Sequence, residues 1–210
     1  TELLDSLDEE FAWRRKELTM LWNDVKSAVP KHRTSRLRAS VAILYAHWEG
    51  FVKAASESYI AYVAAKRFKY SELSDSFLAL ALRSKLNKLT GNNDALGYID
   101  FIKFLNNELL SRARIPEHGV IKTGANLSSK RLKSIVLTLG LDYSPFELKE
   151  NLIDTQLLYW RNSITHGKYC CPKEKDFDRL YEETTTLLRN FKEQLENAIV
   201  LNSFRKKNSS

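Results

Sequence analysis

Cysteine, proline and glycine are scarce in this chain of 210 residues, which holds two, four and seven of them. The cysteines are the neighbours Cys170 and Cys171, which cannot staple distant segments and bring at most two thiolates to a metal, so a disulfide framework is excluded. No apolar run approaches the roughly 18 residues that a membrane-spanning helix needs. So few glycines and prolines leave long uninterrupted stretches, which suit helices better than many short strands. Thr1 to Glu10 carries acids and no apolar run, from which we expect no signal peptide and a reducing, cytoplasmic setting. What the chain has in excess is positive charge. Thirty-three Lys and Arg against 26 Asp and Glu leave a net charge of +7, which favours a polyanionic partner, and a hydrophobic content of 43% is enough for one sizeable core.

Leu4, Leu7, Phe11, Leu18, Leu21 and Val25 recur at helical steps and predict an amphipathic helix over 2–29, stopped by Pro30. From about Ser35 to Lys69 a stripe of Leu37, Val41, Leu44, Trp48, Val52 and Tyr59 is widened by Ile43, Tyr45 and Phe51, as in a central, largely buried helix. Shorter helices are expected from Asp75 to Leu89 and from Ala95 to Leu110, split by the turn-forming Gly91-Asn92-Asn93-Asp94. Pro116, Gly119 and Gly124 interrupt 111–127, and Leu132, Ile135, Val136 and Leu139 then form a helix that Gly140 can end. Ser144-Pro145-Phe146-Glu147 has the form of a capping box, opening a helix that continues, or restarts near Asp154, to His166 and Gly167. Phe177, Leu180, Leu187, Phe191 and Leu195 mark a long last helix. The expected fold is all-α, a four-helix core with additional inserted helices. One domain is expected over 1–201, with an insertion at about 70–143 and a flexible basic tail at 202–210.

The chemistry concentrates in Arg161-Asn162-Ser163-Ile164-Thr165-His166, at the end of a predicted helix. Arginine offers a phosphate two parallel donors and histidine exchanges a proton near neutral pH. RNA supplies its own nucleophile, the 2′-hydroxyl, so cleavage at such a site would need no metal and no covalent residue. On a straight helix Arg161 and His166 lie about 140° apart, whereas Asn162 and His166 share a face. The pair therefore needs an unwound last turn at Gly167, or two subunits related by a two-fold axis, and we expect a dimeric site.

Arg161-Asn162 followed by His166 resembles the Arg-x4-His signature of the HEPN superfamily of ribonucleases. The stretch from Leu37 to Lys53, with His47-Trp48-Glu49 at its centre, is similar to the first core helix of the MAE-type HEPN branch. Together these cover the second and the capped helix, and residues 70–143 match nothing recognisable. The resemblance implies a four-helix core, homodimerisation and metal-independent endonucleolytic cleavage of RNA by its 2′-hydroxyl, leaving a 2′,3′-cyclic phosphate. It implies Arg161 and His166 as the essential pair, Asn162 as the polar residue beside them, and no cofactor. It also implies a toxin or antiphage effector held inactive by a protein or a nucleotide-modifying antitoxin. The alternative is a non-catalytic helical module that binds a nucleotide, RNA or a protein, as some HEPN domains do.

Blander readings stand beside these. Arg161 and His166 would serve stability alone as a solvated arginine and a helix-capping histidine. Asn162 either orients His166 or is only surface polar. His47 and Glu49, two residues apart, cannot both face one site, so one is structural. Glu49 could position Arg161, and Arg38 could reach a phosphate. His47-Trp48-Glu49 also mimics the His-x-Glu of zinc deaminases, but Cys170-Cys171-Pro172 has the wrong order and spacing for the partner motif, so no metal is expected. Two basic concentrations could track an RNA backbone: Lys26, Lys31, Arg33, Arg36 and Arg38, and Arg112, Arg114, Lys122, Lys130, Arg131 and Lys133. No membrane partner is expected.

Overall fold

The computed structural model describes residues 1–91, 95–124, 126–170 and 172–207. Among them it is helical, with two isolated β-bridges and no strand. The first helix, α1, runs over Glu2–Lys26 and buries Leu3, Leu7, Leu18 and Val25 at the predicted spacing. Pro30 does more than stop it. Proline lacks an N–H that the first helical turn would leave unbonded anyway, so it opens α2, Pro30–Ala65. Tyr45, Trp48, Phe51, Val52, Tyr59 and Ile60 of α2 are each 0–1% exposed, as a helix packed on several sides requires.

The middle of the chain forms α3 (Asp75–Gly91), α4 (Ala95–Asn107) and α5 (Ser129–Thr138). The turn expected at Asn92-Asn93-Asp94 lies outside the described residues. Phe77 and Leu80 of α3 and Leu132, Ile135 and Val136 of α5 join the same buried cluster as α1 and α2. This part is continuous with the core.

Ser144-Pro145-Phe146-Glu147 does not form its capping box. Ser144 is already inside the short helix α6 (Ser144–Glu147), and its backbone N–H and hydroxyl both donate to the carboxylate of Asp142, at 2.9 and 2.5 Å. Asp142 reaches the first turn from outside, so it caps in place of the serine. Next comes α7, which begins at Glu150–Leu152, passes through a π-helical stretch, Ile153–Leu158, and ends as regular helix over Tyr159–Thr165. The wider π turns under-wind it, so the faces of its last turns do not follow by extending the register from Ser144. The last helix, α8 (Glu174–Val200), buries Phe177, Leu180, Leu187, Phe191 and Leu195 and packs with α1 and α2, while α7 packs on α2. The expected four-helix core with added helices is the fold observed.

The expectation of a frayed tail from Asn202 is corrected for the residues described. Phe204 is 1% exposed and packs edge-on against Tyr59, Tyr62 and Phe77, with Phe68 at 5.8 Å. Its carbonyl accepts from Ser74 N–H at 2.9 Å, and Lys206 N–H donates to the Glu72 carbonyl at 2.8 Å. Burying one aromatic ring and two backbone bonds outweighs the ordering cost of a few polar residues.

Candidate active site

Arg38, Ala42, Tyr45 and Glu49 follow one another at i, i+4, i+7 and i+11, so they form one stripe of α2. The regular end of α7 packs on α2 and brings Arg161 over this stripe. Its guanidinium lies 5.1 Å from the centre of the Tyr45 ring, a cation–π contact of about 0.5–2 kcal/mol. Nη1 donates to two amide oxygens, Asn126 Oδ1 at 3.0 Å and Asn162 Oδ1 at 2.8 Å. Among the described residues no carboxylate pairs with this half-buried arginine, and Nη2 and Nε have no hydrogen-bond acceptor.

Tyr45 is itself fixed. Its hydroxyl accepts from the Leu127 N–H at 2.5 Å, which ties the phenol to the loop that carries Asn126. Burial pushes the phenol up to about 12; the Leu127 N–H pulls it down, Glu49 beside it pushes it up, and the positive charge of Arg161 pulls it down again. The phenol is neutral at physiological pH. It serves as the face on which the guanidinium rests.

The Asn126 loop has a support of its own. Arg131 Nη1, from α5, donates to the Thr123 and Asn126 carbonyls, each at 2.8 Å. It can reach them because Gly124 has no side chain and sits at φ +63°; a Cβ there would collide with the guanidinium.

His166 ends α7. Its N–H bonds to the Asn162 carbonyl at 3.0 Å. Gly167, at φ +72°, and Lys168 then turn back to the Ile164 and Ser163 carbonyls at 3.1 and 2.9 Å, a Schellman closure. The helix stays regular up to Thr165, so the last turn does not unwind to align His166 with Arg161. The imidazole is exposed, and its side chain has no partner among the described residues. The Asn162 side chain accepts from Arg161, and among the described residues it makes no bond to the His166 imidazole.

The other expected residues divide. Glu49 lies beside Tyr45 and makes no ion pair with Arg161 among the described residues. His47 points the opposite way from α2, as their spacing requires. It is 4% exposed, with Nε2 2.9 Å from the Glu17 carboxylate and its ring 5.2 Å from that of Trp13, both on α1. Burial holds this imidazole below its usual range, Glu17 acts against that shift, and Arg14 adds to it. His47 is therefore not brought to Arg161. Arg38 comes near the motif, but its Nη1 is spent on the Lys168 and Cys170 carbonyls at 3.0 and 2.9 Å, which pins the loop after His166. Most of the first basic concentration is likewise engaged: Lys26 and Arg33 pair with Glu174, and Arg36 with Asp24.

Asn126 and Tyr45 are the site residues that the sequence reading missed. Tyr45 has the spacing of a core residue and is one. Asn126 carries no local signal, because its partner is 35 residues away.

Compared with protein families, the chain matches the MAE_28990-like HEPN family over residues 3–204. The chain belongs to this family. The matched span runs through 70–143, so the middle helices of this HEPN chain lie within the family unit. No curated protein and no solved structure matches it. No helix among the described residues is long and apolar enough to cross a membrane.

Proposed function

We propose that the HEPN chain is an endoribonuclease in which Arg161 holds the scissile phosphate and His166 moves the proton. One observation carries this reading: a half-buried guanidinium held by neutral amides and a phenol face, with no carboxylate paired to it among the described residues, five positions before an imidazole that likewise has no partner among them. An arginine kept for structure is normally paired with an acid when it leaves water, whereas one kept for an anion has donors to spare.

The chemistry follows from the substrate. The 2′-hydroxyl loses its proton, its oxygen attacks phosphorus, and the bond to the 5′-oxygen breaks to leave a 2′,3′-cyclic phosphate. His166 takes the first proton or returns one to the leaving oxygen, and Arg161 stabilises the charge gathering on the phosphate. No metal is required for these steps. Within one chain Arg161 faces α2 and His166 faces solvent, so the complete site forms in a homodimer, where the exposed Tyr159 and His166, with the half-buried Asn162 between them, meet their copies across a two-fold axis. Unrestrained RNA cleavage harms the cell that makes it. The enzyme is accordingly assigned as a toxin or antiphage effector restrained by an inhibitor, acting in the cytoplasm.

The test is cleavage of RNA in EDTA. Arg161→Ala is expected to lose about 10²–10³ in rate and His166→Ala about 10²–10⁴. Cleavage abolished by the chelator, or fully active variants, overturns the mechanism. A second reading, a binding module without catalysis, is favoured by the divergence of Arg161 and His166 within one chain. RNA binding by a protein that neither cuts RNA nor stops growth when induced would select it.

A further inference from the structure

We propose that the groove between α3, the 116–122 segment and α5 is a separate contact for the sugar–phosphate backbone of single-stranded RNA. The proposal rests on the reading that this chain acts on RNA, and names where the strand lies beyond Arg161.

Two depressions, of about 500 and 520 Å³, share Arg83, Val120 and Lys122 in their walls and so form one groove. It follows α3 from Ser76 to Lys88, about 18 Å at 1.5 Å per residue. Arg83, Lys88, Lys122 and Arg131 line it together with His118, and no Asp or Glu does. Among the described residues none of these four cations makes an ion pair, in contrast to Lys26, Arg33, Arg36, Lys149 and Lys192, each of which has a carboxylate. Glu117, the nearest acid in sequence, faces a different cavity with Arg112 and Arg114. Lys133 pairs with Glu147. The second basic concentration of the sequence is thus split, and only Lys122 and Arg131 of it reach the groove.

The lining states what kind of ligand fits. Arg83 donates to the Val120 carbonyl and Arg131 to those of Thr123 and Asn126, which leaves their charge in place, and four cations without an ion-paired carboxylate among the described residues call for several phosphates. The hydroxyls of Ser76, Ser134 and Thr138 suit phosphate and sugar oxygens, and Leu80, Ile121 and Ile135 form an apolar floor. No Phe, Tyr or Trp lines it, so bases have nothing to stack on and the contact is indifferent to sequence. The groove also ends where the candidate active site begins: Arg131 holds the Asn126 carbonyl, and Asn126 Oδ1 holds Arg161. A strand lying in the groove is led to the guanidinium that would take its scissile phosphate.

Binding is read on the whole 210-residue chain carrying His166→Ala, by anisotropy of a short labelled single-stranded RNA across a salt series. Lys88→Gln with Lys122→Gln is compared with Lys16→Gln and Lys53→Gln, which remove the same charge from exposed positions on α1 and α2. Lys88 and Lys122 are exposed and make no ion pair among the described residues, so the fold is not at risk. Each single-strand phosphate contact contributes about 0.7 to the slope of log K against log salt, so the groove pair is expected to lower that slope by about 1.4. The affinity lost between about 50 and 200 mM salt then shrinks about sevenfold, and the control pair leaves it unchanged. Equal slopes for the two pairs, absence of RNA binding, or competition by free AMP as strong as by RNA overturns the proposal. Cleavage by the wild type is scored separately. Groove-dependent binding without cleavage sinks the nuclease and keeps the groove, and cleavage with equal slopes does the reverse.

Discussion

Gly124→Ala tests whether the loop under Arg161 depends on a missing side chain. Two costs apply. The first is conformational: at φ +63° an L-residue loses about 1 kcal/mol relative to glycine. The second is particular to this place, because the new Cβ collides with the Arg131 guanidinium, which must swing away and release the Thr123 and Asn126 carbonyls. Arg131 is exposed and water can replace it on both carbonyls, so two charge-assisted bonds that would count for more in a dry site are discounted to about 1–2 kcal/mol together. The sum is about 2–3 kcal/mol. Gly119 and Gly167 are internal controls, at φ +69° and +72° with nothing within 4 Å of an added Cβ, so alanine there costs the strain alone.

Thermal and urea melts followed by circular dichroism read the difference. At about 2–4 °C per kcal/mol for a domain of this size, Gly119→Ala and Gly167→Ala should lower Tm by about 2–4 °C and Gly124→Ala by roughly 4–12 °C. A double-mutant cycle isolates the cause: with Arg131→Met already in place, Gly124→Ala should cost no more than Gly119→Ala. RNA cleavage should fall in Gly124→Ala beyond what it does in Gly119→Ala, because Asn126 no longer holds Arg161. Equal costs at all three glycines, or an Arg131→Met background that makes no difference, would refute the reasoning.

Three further outcomes are expected. Burial holds the folded His47 imidazole below its usual value, so the unfolded chain binds its proton first; stability should fall as pH drops below about 6.5, and His47→Gln should flatten that fall in urea melts taken at successive pH values. Phe204→Ala should cost about 3–5 kcal/mol by urea melting, a loss that a frayed tail would not show. Asn126→Asp places a carboxylate on Arg161 at nearly unchanged shape; Tm should hold or rise while RNA cleavage falls by at least about tenfold, and an undiminished rate would mean that Arg161 does not receive the phosphate.

The fold was largely legible because its core helices keep a steady period. In α1, α2 and α8 the apolar residues recur every three or four positions, and the observed bounds depart from the expected ones chiefly where Pro30 opens a helix as well as ending one. Part of what could not be read depends on contacts distant in sequence, and part on local competition. Phe204 is a lone aromatic among basic and polar residues, and its pocket comes from Tyr59, Tyr62, Phe68 and Phe77. Ser144 lost its capping role to Asp142, a competitor only two residues away. The π-helical stretch has no marker among Ile153 to Leu158, yet it sets which face of α7 Arg161 occupies.

At the site the sequence located the residues that bear charge, and the structure supplied what holds them. The i, i+2 spacing of His47 and Glu49 already forced them apart, but only the packing of α1 shows that the histidine takes the buried side and the acid the side of Tyr45. The choice of neutral holders for Arg161 has an electrostatic consequence. A carboxylate about 4 Å away would attract the guanidinium by up to about 4 kcal/mol at an effective dielectric of 20, and an arriving phosphate would have to compete with that attraction. Asn126, Asn162 and the Tyr45 ring fix the same group by hydrogen bonds and a ring face without adding negative charge. The arginine is thereby oriented before its ligand arrives, and its charge remains available to that ligand.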